Sequence, residues 1–135
     1  MALLSWSQEY SVGISDIDKE HIKLVGLVNE LHDGMKAGKG KEVLGNILNE
    51  LVKYTSFHFG HEEKLFDTYK YPGTIIHKKQ HKDLVEQVLA YKDSYDKGNT
   101  IMTMDIMNFL KDWLVQHIAG SDKKYTAFLN SKGVV

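Results

Sequence analysis

The chain has 135 residues, no cysteine, 42% hydrophobic and 26% charged residues, and a formal net charge of -1. A chain of this length is expected to form one domain, residues 1–135, with enough core to fold without disulfides. The charge balance excludes a basic nucleic-acid surface, no apolar run approaches the ~20 residues of a membrane helix, and Met1–Ser7 lacks the basic start of a signal peptide, so a soluble cytoplasmic protein is expected.

A single proline and long stretches at helical period predict an all-α fold, because alternating β-branched segments between turns are missing. Residues up to Gly13 read as an irregular N-terminal arm that packs Trp6, Tyr10 and Val12 on the body. Ser15-Asp16-Ile17-Asp18 reads as a capping box with Ile14 as its hydrophobic staple, so a first helix begins near residue 16. Its inward stripe is His21, Leu24, Val25, Val28, Leu31 and Met35, and the glycines at 38 and 40 stop it. The second helix, from about Lys41, turns Leu44, Ile47, Leu48, Leu51, Tyr54 and Thr55 inward, and the same stripe continues through His58, Glu62 and Leu65. Tyr71-Pro72-Gly73 breaks it. A third helix from about Thr74 carries His77, His81, Leu84, Val88, Tyr91 and Tyr95. Lys97-Gly98-Asn99 ends that helix, and Asn99 or Thr100 caps a fourth, with Met102, Ile106, Leu110, Trp113 and His117 inward. Lys123 to Leu129 forms a short C-terminal helix.

Four helices of roughly 20 residues, each about 30 Å long, joined by short turns, predict an antiparallel up-down-up-down bundle. In that topology His21 near the start of the first helix, His58 and Glu62 toward the end of the second, His77 and His81 at the start of the third, and His117 at the end of the fourth all fall at one end. The separate motifs did not require this agreement.

Side chains four apart on a helix lie about 40° apart around its axis, so His58 with Glu62 and His77 with His81 each reach a common centre. Asp122, five residues after His117, would sit about 140° away on a regular helix. The fourth helix must therefore end, or carry a π-type bulge, near Gly120 if Asp122 is to join. Five imidazoles and two carboxylates exceed one tetrahedral zinc and suit two six-coordinate ions with shared carboxylates. If both carboxylates bridge, one ion holds three histidines and the other two, and the second keeps an open position for a small ligand.

The pattern Trp6, Gly13, Ile17-Asp18, His21, Asn29, His58-Phe59-x-x-Glu62-Glu63, Tyr71-Pro72, His77-x-x-x-His81 and Trp113-Leu114-x-x-His117-Ile118-x-x-x-Asp122 resembles the hemerythrins, in particular the single-domain bacteriohemerythrins. That resemblance covers nearly the whole chain, and Phe66 departs from it where many bacterial relatives have methionine. It implies a non-haem centre of two iron ions, ferrous or ferric, with an oxo or hydroxo bridge, that binds dioxygen reversibly. His77, His81 and His117 would hold one iron and His21 and His58 the other, with Glu62 and Asp122 bridging. Leu24, Phe59, Trp113, Leu114 and Ile118 match the positions that line the oxygen pocket.

Outside that set, His32 lies about 16 Å along the helix from His21 and reads as structural. His61 reads as a surface histidine or a support behind the ligands, Glu63 likewise, and Met102, Met104 and Met107 read as core and rim. Lysines 36, 39, 41, 78, 79, 82, 123 and 124 read as solvated surface. The expected function is oxygen carriage or storage by a monomer with no catalytic residue, no nucleic-acid partner and no membrane insertion. The alternatives are an oxygen or redox sensor and a di-iron oxidase or peroxidase.

Overall fold

The computed structural model describes residues 4–98 and 103–135. After a single 3-10 turn at Gln8–Tyr10 come α1 (Ser15–Lys36), α2 (Gly40–Tyr69), α3 (Thr74–Asp96) and α4 (Thr103–Gln116). A π-helical turn at His117–Ser121, a 3-10 turn at Asp122–Tyr125 and α5 (Thr126–Ser131) complete the chain. The four long helices form the antiparallel bundle that the apolar spacing predicts, with α1 packed on α2 and α4, and α2 on α3. The expected cap at Asn99 or Thr100 and the inward Met102 fall outside the described residues. Among the described residues no helix is long and apolar enough to cross a membrane.

The helix boundaries follow local chemistry, with one exception. Gly38, at φ 76°, supplies the left-handed residue that ends α1, and α2 starts two residues later. Lys70 takes the same conformation at the end of α2, φ 57°, while the Tyr71 N–H donates to the Phe66 carbonyl at 3.0 Å. Pro72 then prevents the helix from resuming. The exception is the capping box. Ser15 is already inside α1, Ile14 occupies the N-cap position, and no side chain caps the helix. Asp18 instead turns back to the arm, accepting from Ser11 Oγ at 2.6 Å and from the Val12 N–H at 2.8 Å. The carboxylate serves an arm that the local motif could not foresee.

The arm is also fixed at its start, where the Asn29 amide donates to the Leu4 carbonyl at 2.8 Å and accepts from the Leu4 N–H at 2.9 Å. At the other end of the chain, Thr126 Oγ1 on α5 donates to the Val12 carbonyl at 2.7 Å. Arm and C-terminal helix therefore close the same end of the bundle.

Two apolar clusters result. The larger fills the bundle with Leu24, Val28, Leu31, Leu44, Leu48, Leu51, Leu84, Leu110 and Leu114, and the smaller joins Val12, Ile14, Ile17, Phe66, Tyr125 and Leu129. The sequence stripe placed Leu65 inward, yet Phe66 is the fully buried residue and Leu65 only half-buried. Phe66 follows Glu62 by four residues and so continues the face that already carries the ligands. Trp113 is likewise half-buried at the rim, and Leu114 beside it takes the buried position.

Candidate metal centre

Between the two clusters lies a layer of buried polar side chains. His21, His58, Glu62, His77, His81, His117 and Asp122 are all buried there, and they form two groups. Glu62, His77, His81, His117 and Asp122 offer ligand atoms that all lie within 4.8 Å of one another, and His21, His58, Glu62 and Asp122 do the same. Glu62 and Asp122 belong to both. Asp122 Oδ1 lies 2.8 Å from His77 Nε2 and 3.0 Å from His117 Nε2, and its Oδ2 lies 3.0 Å from His21 Nε2. Glu62 Oε1 is 3.2 Å from His81 Nε2 and 3.3 Å from His58 Nε2.

Asp122 reaches the centre because the helix widens before it. Its N–H donates to the His117 carbonyl, a bond across five residues, so the π turn brings the carboxylate back to the face of His117. Gly120 is not what permits the bend: its φ is not in the left-handed region, and a Cβ there would meet nothing within 4 Å.

The facing atoms are unlike an ordinary hydrogen-bonded core. The Nε2 atoms of His21, His77, His81 and His117, Glu62 Oε1 and both oxygens of Asp122 are buried without a hydrogen bond. A neutral imidazole whose Nδ1 carries the proton presents a lone pair at Nε2, so each approach sets lone pair against lone pair. Each unsatisfied buried group costs about 1–3 kcal/mol, and cations among them would remove that cost. The residues therefore fit divalent metal ions.

Supporting contacts determine which ring nitrogen of His58 and of His81 is free. His58 Nδ1 meets Glu20 Oε1 at 2.6 Å, and His61 Nδ1 meets Glu20 Oε2 at 2.7 Å. His81 Nδ1 meets Glu63 Oε2 at 2.9 Å. A carboxylate at Nδ1 holds the proton there and leaves Nε2 as the ligand atom. Tyr125 donates its hydroxyl proton to Glu62 Oε2 at 2.5 Å, which leaves Oε1 to the centre. On the bundle side the wall is apolar. Phe59 stacks on His81 with ring centroids 3.8 Å apart, and Trp113 stacks on His117 at 4.3 Å. Beyond them lies a cavity of about 20 Å³ lined by Leu24, Val28, Leu51, Thr55, Phe59, Leu84, Leu110, Trp113 and Leu114.

The family profile of the hemerythrin HHE cation binding domain matches residues 12–129. The chain belongs to the hemerythrin family. It is 32% identical to a bacteriohemerythrin of Stenotrophomonas maltophilia over 93% of this chain and 80% of that protein. A bacteriohemerythrin of Methylococcus capsulatus is 31% identical over 97% of this chain and the whole of that one. A crystal structure of wild-type hemerythrin superposes with a TM-score of 0.87 at 30% identity, covering 95% of this chain and 98% of that one.

In this hemerythrin the seven motif residues come together, whereas the five wall positions do not all meet. Leu24, Phe59, Trp113 and Leu114 line the central cavity, while Ile118 lines a separate crevice of about 10 Å³ with Leu4, Tyr10 and Leu114. Sequence reasoning missed Glu20 and Tyr125. A helical wheel holds the signal for Glu20, which shares the face of Ile17, His21 and Leu24 where an unpaired acid is costly. Nothing local marked Tyr125, because its partner Glu62 lies 63 residues away. His61 and Glu63 support ligands.

Electrostatics divide the histidines of the hemerythrin centre. Burial alone would lower the His58 pKa, but the carboxylates of Glu62 and Glu20 outweigh it and hold it above 6.5. For His117 burial prevails and the pKa falls below 6.5. Burial would raise Asp122, but the charge on His117 and the close approach of the His117, His21 and His77 imidazoles hold it well below 3.8. Burial and the neighbouring Glu62 push the Tyr125 hydroxyl well above 10.0, so it stays a donor.

Proposed function

We propose that the centre is a di-iron site that binds dioxygen reversibly, and that the protein is an oxygen carrier or store. Two ferrous ions supply the two electrons that oxygen binding draws on, and family membership supports iron over other cations. His77, His81 and His117 would hold one ion and His21 and His58 the other, with Glu62 and Asp122 shared between them. The ion held by one histidine fewer would leave room for a small ligand.

The observation that carries this reading is the sharing of Glu62 and Asp122 by two ligand groups beside an apolar cavity. A volume of about 20 Å³ accommodates a water-sized or diatomic molecule. Leu24, Phe59, Trp113 and Leu114 keep water and protons from the bound gas, which disfavours irreversible oxidation. Thr55 is the polar side chain of that lining, and its hydroxyl is committed to the Leu51 carbonyl at 2.6 Å. No lining group is poised as a general acid, which favours binding over peroxidase chemistry.

The test is metal analysis with spectroscopy. Protein loaded with ferrous iron and exposed to air should hold two irons per chain and show a visible charge-transfer band that disappears on deoxygenation and returns with air. Zinc, or a single iron, would overturn the reading, and steady turnover of peroxide with a reductant would favour an enzyme.

A further inference from the structure

Resting on the di-iron reading, we propose that the outer face of α1 and α2 around His61 is the docking surface of an acidic one-electron carrier protein. His61, Glu20 and His58 then form the path from that surface to the two-histidine ion.

The path is continuous. His61 leaves 32% of its side chain exposed, bonds to Glu20 at 2.7 Å, and Glu20 bonds to His58 at 2.6 Å. Three side chains therefore connect solvent to a ligand ring. The mouth of the path is shaped for a partner. It is a depression lined by Asp16, Lys19, Glu20, Tyr54, Phe57 and His61. Phe57 is 61% exposed and meets the Tyr54 ring at a tilt of 46°, with centroids 5.7 Å apart. An exposed aromatic within a charged rim is the usual anchor of a protein interface.

Charge identifies the partner. Lys19 and Lys23 on α1, and Lys53 and Lys64 on the Phe57 stripe of α2, are exposed and enter no ion pair among the described residues. Lys23 instead sits 5.9 Å from the centre of the Tyr54 ring. The only surface acid in the depression is Asp16. On the opposite flank Glu63 also reaches a ligand, but there Lys78 is paired with Asp67 and Lys82 with Glu86, so no free cationic rim remains. Unpaired positive charge around an aromatic suits an acidic carrier, and it raises the encounter rate for a small, transient interface.

The electron balance is simple. Each ferric ion gains one electron from one reduced carrier, which leaves oxidised by one electron, and no bond in the chain forms or breaks. Two such events return an oxidised pair to the ferrous state.

Reduced flavodoxin serves as the acidic probe and reduced cytochrome c as the basic one, both tested against the oxidised two-iron protein. Reduction by flavodoxin should slow as salt rises, whereas reduction by cytochrome c should not. Lys19→Glu with Lys23→Glu, and separately Phe57→Ala, should slow flavodoxin about ten-fold while leaving reduction by dithionite and the oxygen-dependent band unchanged. His61→Ala should slow transfer without lowering docking. Carbodiimide cross-linking of oxidised flavodoxin to zinc-loaded protein should couple its carboxylates to Lys19, Lys23, Lys53 or Lys64. Unchanged rates in these variants, a flavodoxin rate that does not fall with salt, or cross-links elsewhere would overturn the proposal. A preparation without two irons defeats the di-iron reading instead, and the zinc cross-linking then decides the surface.

Discussion

Glu20 is buried, carries charge and touches no other ligand ring than that of His58, so its work is readable from one substitution. Glu20→Gln keeps the shape but removes the charge that makes His58 Nδ1 a firm donor and Nε2 a strong ligand. Loss of such a support costs about 10–100-fold in metal affinity. Chelator competition should show that loss at the two-histidine ion, with the other ion released as in wild type. Equal release from both positions would mean that Glu20 acts on the fold rather than on His58. Leu114 provides a second test, because it lines both the central cavity and the crevice behind Ile118. Leu114→Ala should cost about 2–5 kcal/mol of stability and join the two spaces, admitting water. Autoxidation of the oxygenated protein should quicken, and an unchanged rate would remove Leu114 from the wall.

At the scale of elements, the π turn decides whether a fourth helix can contribute two ligands. Deleting Ala119 would shorten the His117–Asp122 spacing to four and let a regular helix carry both. The carboxylate would still point inward, and because four residues of α-helix and five of the wider π turn each bring the chain round by little more than one full turn, Tyr125 and α5 would keep their facing. We expect that variant to keep both its helix content by circular dichroism and the Tyr125–Glu62 bond, and so to escape the loss of about 1.5–3 kcal/mol that breaking the bond would bring. A loss of that size would show that the bulge serves the fold beyond placing Asp122. The need for a bulge was legible in the sequence, since five residues cannot share a face of a regular helix. Its independence from Gly120 was not, because only backbone geometry shows that the turn stays right-handed without glycine's freedom. The helices themselves were readable from apolar spacing, as were the seven converging residues. The misread cap at Ser15 and the exchange of Leu65 for Phe66 have one cause: local motifs do not register an arm or a C-terminal segment that arrives from far along the chain.

For the whole molecule, the buried charges set opposite pH dependences with and without metal. In the metal-free protein His58 has a folded pKa above 6.5, so its contribution to stability is fully present below 6.5 and is lost as pH rises through the raised value. Asp122 is depressed below 3.8, so its contribution is present above that and is lost as pH falls through the folded value. Metal must displace the proton from His58 but finds His117, lowered below 6.5, already neutral. Acidification should therefore release the ion of the two-histidine group first, while the three-histidine group retains its ion to lower pH. Metal content measured against pH should fall in two steps in that order, and simultaneous loss would contradict the assignment of ligands to ions. Chelation should also lower the melting temperature more at pH 8 than at pH 6.

The contact between Thr126 and Val12 joins residues 114 apart in sequence. Contacts that close so long a loop form late in folding and open early, so opening of this end of the bundle is expected to set how long metal is retained. Thr126→Ala should shorten the lifetime of bound metal in excess chelator and raise hydrogen exchange in the arm and α5, with the exchange of the α2 core amides unchanged. The protein would then lose its metal through a local fluctuation rather than through global unfolding.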